Sequence, residues 1–204
     1  HDLCGYGKCS LGVAIPVLSA AGCDVCPVPT GLFSSHTAFP GWYMHDTTDM
    51  LADYLAAWGK IGVEIDAVYS GFLGAPEQVD RIRDLYAMYP DALRVVDPVM
   101  ADHGAVYPTY TPELCNAMAE LACGADILTP NLTEAAIILG EPIGENWAGT
   151  DISDEEARRL VDALVAKGAK HVVLKGIQRE GETSIRTFVG GEGMDTVEVH
   201  NEYV

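Results

Sequence analysis

The sequence predicts an α/β fold in which a mostly parallel sheet is flanked by helices and carries an antiparallel hairpin at its C-terminal edge. Three observations predict it. Short apolar runs at residues 24–29, 67–72, 94–99, 126–130 and 171–176 alternate with longer amphipathic stretches, the order of repeated strand–helix units. The runs are short and mainly apolar rather than alternating, as in strands covered on both faces. From Thr183 onward the pattern changes to two extended runs, 184–189 and 195–200, joined by Gly190-Gly191-Glu192-Gly193, a hairpin signature.

Each element follows from local chemistry. Residues 10–21 are apolar and helical except for Pro16, which lacks the N–H a helix interior needs and should kink it. The run 24–29 reads as a buried strand. Helices fit 47–58 (Leu51, Tyr54, Leu55, Trp58), 76–89 (Val79, Ile82, Tyr86) and 112–123 (Leu114, Ala117, Met118, Leu121), the last two opening on a proline whose missing N–H costs nothing there. The clearest helix lies between Asp151 and Gly168. Ala157, Leu160, Val161, Leu164 and Val165 fall on one face, and Ser153 with Glu156 has capping-box spacing.

Hydrophobic residues make up 49% of the 204 and charged residues 21%, a balance that suits one compact domain over residues 1–204. No repeat or linker marks a second. Twelve Lys plus Arg against 30 Asp plus Glu leave a formal net charge of -18, which excludes nucleic acid and anionic membranes as partners drawn in by long-range field. There is no apolar run of membrane-spanning length, and His1 to Lys8 lack the order of a signal peptide, so a cytoplasmic protein is expected. Among the six cysteines, only Cys23 and Cys26 have a spacing that zinc or redox chemistry uses. On a strand that spacing puts them on opposite faces, so buried free thiols are expected.

Four segments can carry chemistry. His1-Asp2-Leu3-Cys4-Gly5-Tyr6-Gly7-Lys8 is a polar glycine loop of the kind that lines a ligand crevice beyond a strand end, or an ordinary turn. Residues 30–37, followed by Phe39 and Trp42, put hydroxyls, an imidazole and aromatic rings into one loop. Such a set can hold a flat heteroaromatic ring by stacking and edge hydrogen bonds, or it is a solvated loop. Asp97-Pro98-Val99-Met100 and Thr129-Pro130-Asn131-Leu132-Thr133-Glu134 each end an apolar strand, and two acids at one sheet edge can hold magnesium beside phosphates. Asn131 and Glu134 are also spaced as a plain capping box.

Taken together and in order, these segments resemble the vitamin B6 kinases of the ribokinase-like superfamily. Family members show His-Asp-Leu-Ser-Gly-Phe-Gly, matched by His1 to Gly7 with Cys4 for serine and Tyr6 for phenylalanine. They also show Ser-X-His-Thr, matched by Ser34 to Thr37, and a Ser-Gly-aromatic strand end, matched by Ser70-Gly71-Phe72. Asp-Pro-Val-Met is met at Asp97 to Met100 and Thr-Pro-Asn-X-X-Glu at Thr129 to Glu134, and the match extends from His1 to about Gly176.

The resemblance implies a ribokinase-like three-layer fold and ATP-dependent phosphorylation of the 5'-hydroxymethyl group of pyridoxal, pyridoxamine or pyridoxine. It implies that His36, Thr37, Trp42 and Phe72 surround the pyridine ring, with Asp2 near its polar edge. Asp97 and Glu134 would organise Mg2+ and phosphate, Thr129 and Asn131 the triphosphate, and Lys175 the nucleotide end. It further implies a homodimer with Mg2+, with or without a monovalent cation, and the vitamer and ATP as partners.

The superfamily's Gly-X-Gly-Asp motif, whose helix N-terminus holds the anion and whose aspartate acts as base, has no match here. The expectation is therefore an incomplete kinase domain, preceded by a further strand and followed beyond Val204 by the catalytic aspartate. The 204-residue chain by itself is expected to be inactive. Two other readings stand beside this one. A hydroxymethylpyrimidine kinase of the same fold has an Asp-X-Ser-Gly-Gly loop that Asp2 to Tyr6 partly matches, and a non-catalytic vitamer-binding protein would keep the pocket alone. The Ser-X-His-Thr loop and Trp42 favour the pyridine vitamer.

Overall fold

The structure is a computed structural model and describes residues 1–142, 152–179 and 181–202. In chain order the elements are β1 (Leu3–Cys4), α1 (Leu11–Ala20), β2 (Gly31–Phe33), β3 (Met44–Asp46), α2 (Thr48–Ile61), β4 (Ala67–Ser70), α3 (Pro76–Met88), β5 (Leu93–Val96), β6 (Ala101–Asp102), β7 (Ala105–Val106), α4 (Pro112–Ala122), β8 (Ile127–Leu128), α5 (Leu132–Leu139), α6 (Asp154–Ala166), β9 (His171–Ile177), β10 (Ser184–Gly191) and β11 (Met194–Glu202). They fall into two compact units, His1–Asp66 with Ser70–Asp91, and Ala67–Tyr69 with the described residues from Ala92 on.

The first unit is built on the three-stranded sheet β1-β2-β3, with β1 parallel to β2 and β2 antiparallel to β3. Leu51 and Leu55 of α2 and Val79, Ile82 and Leu85 of α3 are buried where the two helices pack together. A polar knot joins the sheet to α3. Gln78, with 0% of its surface exposed, donates from Nε2 to the Thr30 carbonyl (2.8 Å) and to Thr48 Oγ1 (2.9 Å), while its Oε1 accepts from Gly74 N (2.8 Å). Thr30 Oγ1 in turn donates to the Phe72 carbonyl at 2.6 Å. A buried amide with both ends bonded fixes its neighbours at no desolvation penalty. Thr30 and Phe72, 42 residues apart, are thereby held together.

The second unit holds a six-stranded sheet of order β11-β10-β9-β8-β5-β4. Val95 and Val96 pair in parallel with Ile127 and Leu128, which pair in parallel with His171 and Val172, while β9, β10 and β11 run antiparallel. The sheet is therefore mixed, and the α/β class and C-terminal hairpin are as expected. The turn is tighter than expected, because Gly191 pairs with Met194 and only Glu192 and Gly193 remain between the strands. Gly193 makes it possible by adopting φ 74°. Leu160, Val161 and Leu164 of α6 and Val172, Leu174 and Phe188 of the sheet are fully or nearly fully buried and form this unit's core with α5.

Four expectations need correction. Residues 24–29 are not a strand; the segment is irregular, and Cys23 and Cys26 are exposed free thiols rather than buried ones. Pro27 and Pro29 have no N–H to give a ladder, and what anchors the segment instead is the Tyr54 hydroxyl donating to the Pro27 carbonyl and Thr47 Oγ1 donating to that of Pro29. The glycine loop is not all loop, since Leu3 and Cys4 form β1. The helix expected from Asp151 begins at Asp154, with Ser153 Oγ accepting from Glu156 N; Asp151 lies outside the described residues. The reciprocal half of its box is absent because the Glu156 carboxylate turns to Arg159 (2.7 and 2.9 Å). Among the described residues, no helix is long and apolar enough to cross a membrane.

Candidate active site

The first two sequence candidates come together in the first unit. The parallel pairing of Leu3 with Leu32 and Cys4 with Phe33 does not stop at the strand ends. Gly5 N donates to the Phe33 carbonyl (2.9 Å), Tyr6 N to that of Ser34 (3.1 Å), and His36 N to that of Tyr6 (2.8 Å). The glycine loop thus zips onto the loop that holds Ser34, His36 and Thr37. The approach is close at two steps. A Cβ on Gly5 would stand 3.1 Å from the Ser34 carbonyl oxygen, and one on Gly7, whose φ is 116°, would stand 3.0 Å from His36 Cβ.

On this paired frame, His36 and Thr37 are exposed and Trp42 is 36% exposed. His36 Nδ1 accepts from Ala38 N at 3.1 Å, so in the neutral ring the proton sits on Nε2 and remains a donor. Ser34 Oγ accepts from Tyr43 N at 2.9 Å and closes the loop at its far end. Trp42 lies against Phe33 (centroids 5.7 Å), which meets Phe72 edge-on (5.5 Å), and Tyr6 meets Phe39 edge-on (5.2 Å). Phe72 is buried behind Phe33, a residue the sequence reading passed over because its three-residue strand is too short to show a period. Asp2, only 7% exposed, turns its carboxylate to its own loop, accepting from the Ser10 hydroxyl and from the Cys4 thiol at 3.5 Å. Burial first, and the neighbouring Cys9 thiol next, push the Cys4 thiol up to about 12.

The remaining candidates come together in the second unit. Lys175 Nζ pairs with Asp97 Oδ1 at 2.5 Å. Glu134, 2% exposed, has both oxygens bonded, Oε2 accepting from Asn131 N (2.8 Å) and Oε1 from Met100 N (3.3 Å). Asn131 completes the capping box by accepting from Glu134 N (2.9 Å) and donates Nδ2 to the Ala101 carbonyl (2.8 Å). Thr129 N continues the β5–β8 ladder to the Val96 carbonyl at 2.9 Å. Burial pushes the Glu134 carboxyl up to about 8 against the pull of Lys175 and of the two backbone donors, and the Asp97 charge adds to the rise. Tyr69 and Tyr107, also missed from sequence, face the same charges: burial raises each phenol to about 12, with Asp97 acting next on Tyr69 and Asp102 on Tyr107. A hard divalent ion fits this set in one way. Asp97 has a second oxygen beyond the one paired with Lys175, whereas Glu134 could act on Mg2+ only through coordinated water, which Mg2+ usually keeps.

The fold defines the class of protein. The structure superposes at a TM-score of 0.90 and 36% identity on a Bacteroides thetaiotaomicron protein assigned as a phosphomethylpyrimidine kinase and crystallised with pyridoxal, covering 100% of this chain and 71% of that one. It superposes at 0.84 and 29% identity on pyridoxal kinase from Lactobacillus plantarum, covering 100% and 70%. The chain belongs to the phosphomethylpyrimidine kinase family, whose profile matches residues 16–204. In sequence it is 33% identical over 190 residues to pyridoxal kinase PdxY of Pasteurella multocida, covering 88% of this chain and 62% of that protein. It thus spans about three fifths of the length of that relative.

Proposed function

We propose that the protein is an ATP-dependent kinase of the 5'-hydroxymethyl group of pyridoxal and its vitamers. The observation that carries this reading is the joining of the glycine loop to the loop of Ser34, His36 and Thr37, which puts an imidazole Nε2–H, a hydroxyl and the exposed Trp42 ring on one backbone frame. A pyridine ring with polar substituents needs that combination, one flat apolar contact and a few aimed donors. His36, Thr37 and Trp42 contact the ring in this reading, Phe72 backs them through Phe33, and Asp2 orients the glycine loop at the ring's polar edge. Likeness to the protein crystallised with pyridoxal supports the vitamer.

Nucleotide and metal belong to the second unit. Lys175 serves the nucleotide end, Thr129 and Asn131 the triphosphate, and Asp97 with Glu134 the Mg2+. Asp97, with Glu134 acting through coordinated water, would hold the ion, whose charge would offset the negative charge that develops on the phosphates. The resemblance supports a cytoplasmic homodimer. The test is turnover by the protein expressed from its complete reading frame. Pyridoxal and ATP should yield pyridoxal 5'-phosphate and ADP in equal amounts, and hydroxymethylpyrimidine should show a lower kcat/KM. Turnover of the pyrimidine without turnover of pyridoxal would replace this reading with the pyrimidine kinase.

A further inference from the structure

We propose that Asp2, Cys4 and Cys9 form a binding site for a thiophilic divalent cation of the zinc class. One oxygen and two sulfurs from these side chains lie within 4.8 Å of one another, and among the described residues they are the one such group of three metal-ligating side chains. One of the three spacings can be compared directly with a coordination shell. With Zn–S of about 2.3 Å and Zn–O of about 2.1 Å, a tetrahedral ion sets its sulfur and oxygen ligands about 3.6 Å apart and its two sulfurs about 3.8 Å apart. Cys4 Sγ stands 3.5 Å from Asp2 Oδ2.

The chain builds the group locally. Asp2 and Cys4, two residues apart on extended backbone, point to the same side of β1. The glycine loop then turns back, and Leu11 N closes it by donating to the Asp2 carbonyl at 3.1 Å, which returns Cys9 to the strand end. Ser10, at the rare φ of 45° for a residue with a side chain, aims its hydroxyl at Asp2 Oδ1 and leaves Oδ2 facing sulfur. A hydrogen bond that orients a ligating carboxylate is the usual outer support of a metal site. Asp2 is buried and both thiols are half-buried.

The ligand set selects the ion. Two sulfurs and one carboxylate oxygen suit zinc and its congeners and are wrong for Mg2+, which takes oxygen alone. Each thiol that ligates gives its proton to solvent, so one bound ion releases two protons and no electron moves. Three protein ligands leave the fourth tetrahedral position open to water or a small donor. The site goes beyond the kinase reading, and neither ATP nor pyridoxal enters its test.

Titration of the reduced, metal-stripped chain with Co2+ is that test. The expected result is one equivalent bound with a sulfur-to-cobalt charge-transfer band, displaced by Zn2+. Cys4→Ser and Cys9→Ala should each remove the band and weaken Zn2+ binding by more than about a hundredfold, beyond the roughly 10–100-fold that loss of a merely supporting residue costs. The Cys23→Ser/Cys26→Ser double variant should keep the band, and this comparison decides the matter even where a Cys4 or Cys9 variant fails to fold. No saturable band in the unsubstituted chain, or a band lost from the Cys23/Cys26 variant, would overturn the proposal.

Discussion

Gln78 Nε2 donates to the Thr30 carbonyl at 2.8 Å, joining α3 to the start of β2 across 48 residues of sequence. The same side chain accepts from Gly74 N, so its amide bonds at both ends in a place with no exposed surface. Gln78→Ala would leave a buried carbonyl and a half-buried N–H without partners, at on the order of 3 kcal/mol. Urea denaturation should show a loss of that size. A loss below about 1 kcal/mol would mean that the knot is not what holds Thr30 and Phe72 together.

Gly7 should not tolerate a side chain. Its φ of 116° disfavours any other residue, and a Cβ there would press on His36 at 3.0 Å. Gly7→Ala is expected to cost about 1–3 kcal/mol of stability and, by displacing His36, to weaken pyridoxal binding in the folded fraction. Thermal melting and calorimetry of the same sample would read both effects. Unchanged affinity with reduced stability would separate His36 from the ligand.

Glu134 makes stability depend on pH with a definite sign. Its carboxyl is raised from 4.5 to about 8 in the folded chain. Below about 4.5 it is protonated in folded and unfolded chains alike; between that value and about 8 the folded chain keeps a proton that the unfolded chain has lost. Its contribution is therefore full at low pH and is lost as pH rises through that window. Denaturation at a series of pH values should show this fall, and Glu134→Gln, which cannot titrate, should flatten it. Equal slopes in both proteins would place the titration elsewhere.

Thr37→Val keeps the volume and removes the hydroxyl. Thr37 is exposed in the ligand-free chain, so stability should barely change. Pyridoxal affinity should fall by roughly 0.5–1.5 kcal/mol if the hydroxyl bonds the ring. Fluorescence or calorimetric titration would measure it, and equal affinities would remove Thr37 from the site.

Much of the fold was legible because burial on both faces leaves unbroken apolar runs, as at Val95, Val96 and Leu128, and because caps such as Ser153 and Asn131 announce helices. The first unit was harder. Its strands are two or three residues long, too short for a period to show, and β1 hides inside a glycine loop. Residues 24–29 misled because valines among prolines have the composition of a strand without its donors. At the candidate site, the residue types of His36, Thr37, Trp42, Asp97, Glu134 and Lys175 could be picked out from motifs. The pairing of Tyr6 with His36 and the commitment of both Glu134 oxygens to backbone donors depend on register and packing, which no local pattern encodes. Gln78 was invisible for the same reason, since a buried glutamine on a helix reads as a surface one until its partners from elsewhere in the chain are in place.

The most direct test of the central claim is calorimetric titration of the 204-residue chain with pyridoxal and, separately, with hydroxymethylpyrimidine, each repeated on Trp42→Ala. Trp42 is 36% exposed, so its loss should spare the fold. The account predicts saturable pyridoxal binding that is tighter than pyrimidine binding and falls by about tenfold or more in the variant, as loss of an aromatic contact worth at least about 1.4 kcal/mol would produce. Tighter binding of the pyrimidine, or pyridoxal binding that survives Trp42→Ala unchanged, would contradict it.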